Sequence, residues 1–187
     1  MNPEPLGGGP PSIRLSDNRV DRQIAVDLEA LGDLFAAVLQ RQGVSGLAEA
    51  SLTLLDPDEI AQLKVRYLDG DGAATDVLSF PIDGADCPEA TAGGPSSWMV
   101  GDVLICPSVA ADQAPEHAGN LRDELALLVI HGTLHLLGWD HVEQKERQEM
   151  WRRESDLFSE FSGTPQRNPW LEADYYEDPP KVIGPRP

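Results

Sequence analysis

Cysteine is almost absent from this chain. Only Cys87 and Cys106 occur, and they lie too far apart to form a C-x-x-C unit. Two such residues do not make a disulfide framework, and a reducing cytoplasmic setting is the simpler reading. Basic residues are also scarce: 14 Lys and Arg stand against 32 Asp and Glu, for a formal net charge of -18. That balance argues against broad, nonspecific affinity for nucleic acid, because such a surface repels phosphate. It leaves room for a local basic cleft, and its plainest consequence is solubility. No apolar run reaches the roughly 20 residues that a membrane-spanning helix needs. The apolar segment Leu125–Leu137 is shorter and contains two histidines, so it reads as a buried core helix. The N-terminus has neither a basic start nor an apolar segment behind it, so no secretory signal is expected there. There is no internal repeat.

What remains describes one soluble globular domain. The 187 residues are enough for a real core, with 41% hydrophobic residues and a mean hydropathy of -0.30. Residues 1–11 are a Pro/Gly-rich tail and 163–187 a Pro-rich acidic tail. Both are expected to be disordered, leaving 12–162 as the domain. A strand begins at Ile13. Asp21–Gln42 carries an apolar stripe at helical spacing, and Gly43 stops it. Ala50–Leu55 reads as a strand, and Asp56-Pro57-Asp58-Glu59 opens a helix that runs to about Leu68. Thr75–Phe80 and Trp98–Cys106 read as a hairpin-like pair of strands around a long polar loop. Asn120 caps the central helix, and Glu143 to about Phe161 forms a last, charged amphipathic one. The order implies an α+β fold: a small mixed sheet with the histidine-bearing helix packed against it.

Three of the four histidines fall in one stretch, His131-Gly-Thr-Leu-His135-Leu-Leu-Gly138-Trp-Asp140-His141. On a helix, His131 and His135 share one face a turn apart. Gly138 stands where a C-cap glycine turns the chain back, and His141 then returns to the same face. Three imidazoles and no fourth protein ligand describe an open, catalytic type of zinc site. Metzincin peptidases share this ligand spacing but place a glutamate after the first histidine as general base. Here that position is Gly132.

Four segments together carry a wider resemblance: Thr75-Asp76-Val77-Leu78-Ser79-Phe80-Pro81, Gly101–Cys106, Glu124–Gly132 and His135–His141. Over residues 13–160 the chain resembles the YbeY family, bacterial rRNA maturation factors regarded as zinc-dependent, single-strand-specific endoribonucleases. The resemblance implies a four-stranded sheet with helices around it. It implies one zinc held by His131, His135 and His141. It also implies action on single-stranded rRNA, including the 16S rRNA 3′ end, with the small ribosomal subunit and assembly factors as partners. Neither membrane nor DNA is expected as a partner. Many members carry an arginine before the T-D-V-L-S-F strand. Arg66 lies nearby but out of register, so it is either that arginine shifted by a turn or a solvated helix residue. Asp140 either orients a ligand imidazole or bonds the turn after Gly138. Ser79 either faces the cleft or alternates away from it.

A three-histidine zinc would carry its charge undiminished, polarise a phosphoryl oxygen and lower the pKa of bound water toward ~7. That water is the preferred nucleophile, with an RNA 2′-OH as the alternative. Two rival functions are a metzincin-like peptidase, which Gly132 disfavours, and a noncatalytic ribosome-assembly factor with structural zinc.

Overall fold

The computed structural model describes residues 9–44, 46–68, 71–84, 97–139 and 144–170. Among them the order is β1 (Ser12–Asp17), α1 (Leu28–Arg41), β2 (Ala48–Leu54), α2 (Pro57–Leu68), β3 (Val77–Pro81), β4 (Trp98–Ile105), α3 (Pro107–Gln113), α4 (Leu121–Leu136) and α5 (Gln144–Phe161). The four strands form one mixed sheet in the order β1-β2-β4-β3. β1, β2 and β4 run parallel, and β3 pairs antiparallel with β4 at the edge. The expected α+β class and four-stranded sheet are both present.

Alternation along the strands decides what covers each face. On one face, Ala50, Leu52, Leu54, Val77, Val103 and Ile105 meet Leu31, Phe35 and Leu39 of α1 and Leu125, Leu128 and Val129 of α4. On the other, Leu78 packs with Ile60 and Leu68 of α2, joined by the partly buried Phe80 and Leu104. α5 then covers the outer side of α4: Met150, Leu157 and Phe158 pack with Ala126, Ile130 and Leu134. Helix α4 is therefore buried at every position from Glu124 to Leu136.

Local chemistry sets the ends of α4. Asn120 accepts a hydrogen bond from the Asp123 amide at 3.0 Å, as its position predicts. At the other end Gly138 has φ +83°. The Gly138 amide donates to the His135 carbonyl and the Trp139 amide to the Leu134 carbonyl, both at 3.1 Å. This paired pattern is a Schellman turn, which a side-chain-bearing residue at 138 would strain. It sends the chain back toward the α4–α5 seam, where Trp139 packs.

Helix α1 begins at Leu28, later than the apolar stripe suggests, because side chains hold the preceding segment in another shape. Arg19 reaches both Asp17 oxygens at 2.9 Å and donates to the Ile24 carbonyl at 2.9 Å. Arg22 donates to the Asp17 carbonyl at 2.9 Å. Asp27 then caps the helix through the Ala30 amide. Residues 163–170 of the expected C-terminal tail lie within the described part and bond to the loop before α4 and to its first turn. Residues 171–187 lie outside it, as do residues 1–8.

The hydrogen bond from Arg19 holds the Asp17 carboxyl down to about 2. A depressed folded-state pKa stabilises fully above the unfolded value near 3.8 and is lost as pH falls through about 2. Asp17→Asn is expected to lower stability by about 1–2 kcal/mol at pH 7, with the difference from wild type shrinking between pH 4 and pH 2. Denaturant unfolding across that range checks it; a difference that does not depend on pH would contradict it.

Candidate metal centre

His131 and His135 lie on the buried face of α4, one turn apart. His135 is fully buried, and His131 is 7% exposed. Their rings meet edge to face, with centroids 4.5 Å apart at 78°. The two Nε2 atoms converge to 3.0 Å. Two imidazole nitrogens each ~2.05 Å from one tetrahedral ion would stand roughly 3.3 Å apart, so this pair is close to the spacing that a shared ion needs.

The protonation pattern points the same way. His131 Nδ1 lies 2.5 Å from Glu154 Oε1 on α5. A carboxylate accepts, so Nδ1 carries a proton, and in the neutral ring Nε2 then presents its lone pair toward His135. This carboxylate–imidazole arrangement is the usual support behind a metal-binding histidine. The donor set therefore fits a cation. Glu154 is 3% exposed and sits in the apolar stripe of α5 with Met150, Leu157 and Phe158. Its other oxygen accepts from the Trp170 indole at 3.1 Å. The sequence reading did not single out either residue. The one local signal was a carboxylate on the buried stripe of an otherwise charged helix.

His141 and Asp140, the third expected ligand and its neighbour, lie outside the described residues. Ser79 is buried on β3 and faces α4 at Gly132, next to His131. Arg66 lies elsewhere: α2 packs on the opposite face of the sheet, and the Arg66 guanidinium sits 5.3 Å from the centre of the Tyr67 ring.

Two further buried acids border the site. Asp76 precedes β3; its Oδ1 accepts from the Val77 amide at 2.8 Å and the Thr75 hydroxyl at 3.1 Å. Burial pushes its carboxyl up, and the charge of Glu124 adds to that while His131 opposes it. Glu124, two turns before His131, holds His117 Nδ1 at 2.8 Å and the Ala118 amide at 3.2 Å. It fastens the loop between α3 and α4 to the helix that carries the histidines.

Gly132 is set by packing. A Cβ at this position would stand 3.0 Å from Ser79 Oγ and 3.0 Å from Val103 Cγ1. The helix lies so close to β3 and β4 that a metzincin-like glutamate has no room. Gly132→Ala is expected to cost about 1–3 kcal/mol by overpacking. Gly132→Glu, which also buries a charge, is expected to abolish cooperative thermal unfolding. A Gly132→Glu protein melting like the wild type would show that this approach is not tight.

Comparison with known proteins identifies the family. The family model described as Endoribonuclease YbeY matches residues 16–162. Among curated relatives, the Endoribonuclease YbeY of Salinispora tropica is 40% identical over 146 residues, covering 76% of this chain and 92% of that protein. The protein of the same name from Corynebacterium glutamicum is 41% identical over 140 residues, covering 73% and 70%. That from Rhodococcus erythropolis is 45% identical over 127 residues, covering 66% and 69%. Among solved structures, the solution structure of TM1509 from Thermotoga maritima superimposes with a TM-score of 0.53 at 26% identity, covering 89% of this chain and 96% of that one. With a fold of the same kind, a family match across most of its length and relatives at this level of identity, the chain belongs to the YbeY family of endoribonucleases, hydrolytic enzymes that act on RNA.

Proposed function

We propose that this endoribonuclease is zinc-dependent and specific for single strands, with His131, His135 and His141 as the ligands of one ion. It would act in rRNA maturation, at the 16S rRNA 3′ end, and in ribosome quality control, in the cytoplasm. The observation that carries the metal reading is the convergence of the two Nε2 atoms at 3.0 Å with His131 Nδ1 already engaged by Glu154. The family is metal-dependent, and a three-histidine donor set of this kind suits zinc. When bound, the ion supplies a Lewis acid for a phosphoryl oxygen and a bound water of lowered pKa.

The chain's own residues do the rest. Glu154 keeps the His131 proton on Nδ1 and its lone pair directed at the site. His135, fully buried, presents its Nε2 to the same point as His131 Nε2. Ser79 lines the wall beside Gly132. Asp140 is assigned to support of the adjacent His141. Arg66 stands either as the family's arginine shifted by a turn or as a solvated residue of α2, and unchanged cleavage by Arg66→Ala would return it to the second role. The peptidase alternative is disfavoured by the packing at Gly132, which excludes the base that such a reaction uses.

His135→Ala is expected to fall from about one zinc per chain to nearly none, and to lose chelator-sensitive cleavage of a defined single-stranded RNA. Metal analysis of the purified protein decides it, and full metal content in the variant would refute the assignment.

A net charge of -18 leaves little surface to attract phosphate. Affinity for the ribosomal substrate is accordingly assigned to docking on the small subunit or an assembly factor. Binding to naked single-stranded RNA should then show a shallow salt dependence, no steeper than a log–log slope of about -2, equivalent to roughly three phosphates. Tight binding to naked RNA with a steep slope would rule out this division of labour.

A further inference from the structure

Residues 163–170 follow α5 and run along the α4–α5 seam, from the first turn of α4 to the level of His131. Backbone and side chain both tie them down. The Arg167 amide donates to the Ala118 carbonyl at 3.0 Å, and the Gln166 amide to Asp123 Oδ2 at 2.9 Å. Asn120, the cap of α4, donates its side-chain amide to Gln166 Oε1 at 3.0 Å. The strap ends at Trp170. Its ring meets Phe158 edge to face, with centroids 6.0 Å apart at 73°, and packs with the α4–α5 core. Its indole N–H donates to Glu154 Oε2 at 3.1 Å, while Oε1 of the same carboxylate lies 2.5 Å from His131 Nδ1.

The two contacts on Glu154 act at opposite oxygens. The terminal torsion of a glutamate is broad, so one hydrogen bond at Oε1 leaves the carboxylate plane free to turn about it. A donor at Oε2 fixes that plane. It also satisfies an oxygen that would otherwise be buried without a partner. The carboxylate in turn sets which His131 nitrogen carries the proton and where the ring points. An apolar ring at position 170 could fill the same space, but only a ring with an N–H can hold Oε2.

We infer that Trp170, delivered by the 163–170 strap, is a positioning residue for the metal centre: its indole N–H orients the Glu154 carboxylate and, through it, the His131 imidazole. The inference rests on the metal reading proposed above. It gives the segment beyond α5 a part in the site, and it predicts that detachment of the strap loosens metal binding without unfolding the domain.

The test uses the full chain as wild type, Trp170→Phe and Glu154→Gln. Zinc affinity is measured by competition with a chelator of known affinity. Separately, the downfield imidazole N–H proton of His131 is recorded by NMR in metal-free protein. Glu154→Gln should weaken zinc by about 10–100-fold, and Trp170→Phe by about 3–10-fold. Trp170→Phe should keep a melting temperature close to that of the wild type and should shift the His131 proton signal. Benzothienylalanine at position 170 keeps the bicyclic ring and lacks the N–H, so it should behave like Trp170→Phe even if phenylalanine packs too loosely. Wild-type zinc affinity together with an unmoved proton signal, in Trp170→Phe and in the benzothienyl protein, would overturn the inference. Wild-type protein that binds no zinc through His131 would instead refute the metal reading, and the metal-free proton signal would then judge the role of Trp170 by itself.

Discussion

Helix α4 has no solvent face from Glu124 to Leu136, yet it carries two imidazoles. Polar rings in such a place must be satisfied, since an unpaired buried polar group costs about 1–3 kcal/mol. The short contact from His131 Nδ1 to Glu154 does this for one ring and leaves both Nε2 atoms facing each other. At 3.0 Å the two nitrogens need a proton or a metal ion between them. Burial and the Glu154 contact thus set up the His131–His135 pair that the proposed metal centre would use.

The same burial explains the neighbours. α4 can approach the sheet this closely because position 132 lacks a side chain, and that closeness sets Ser79 and Val103 against Gly132. α5 brings Glu154 because its apolar stripe must cover Ile130 and Leu134. The caps at Asn120 and Gly138 fix where the helix begins and where the chain leaves it. Glu124 and the strap at 163–170 fasten its first turns from two sides. The geometry of the proposed site and the packing geometry are one set of contacts, so substitutions here are expected to affect metal affinity and stability together unless they are chosen to keep shape.

Much of this was legible locally. The all-round apolar run at 125–137, its Asn120 cap, the glycine at 138 and the four-residue spacing of His131 and His135 are short-range signals. Each stands in the structure as read. The hairpin of β3 and β4 and the start of α2 at Pro57 were likewise carried by turn residues and alternation. The start of α1 was not, because Asp17, Arg19 and Arg22 hold residues 17–24 by side-chain bonds that override an apolar stripe. Glu154 was not legible as a partner of His131 because the contact spans 23 residues and depends on how α5 packs. Trp170 is harder still: it sits among the polar and proline residues of the C-terminal segment and gains its meaning only from a buried carboxylate. Arg66 shows the converse. Nearness in sequence to the Thr75–Pro81 segment suggested a role at the site, and the sheet separates it from the histidines.

The proposed site stands on the His131–His135 pair forming part of one metal centre with imidazole ligands. X-ray absorption at the zinc edge, on full-length protein loaded with one equivalent, tests it most directly. The expected result is a first shell of nitrogen or oxygen at about 2.0–2.1 Å with the outer-shell scattering of about three imidazoles. A sulfur shell at about 2.3 Å, or a first shell without imidazole scattering, would contradict it.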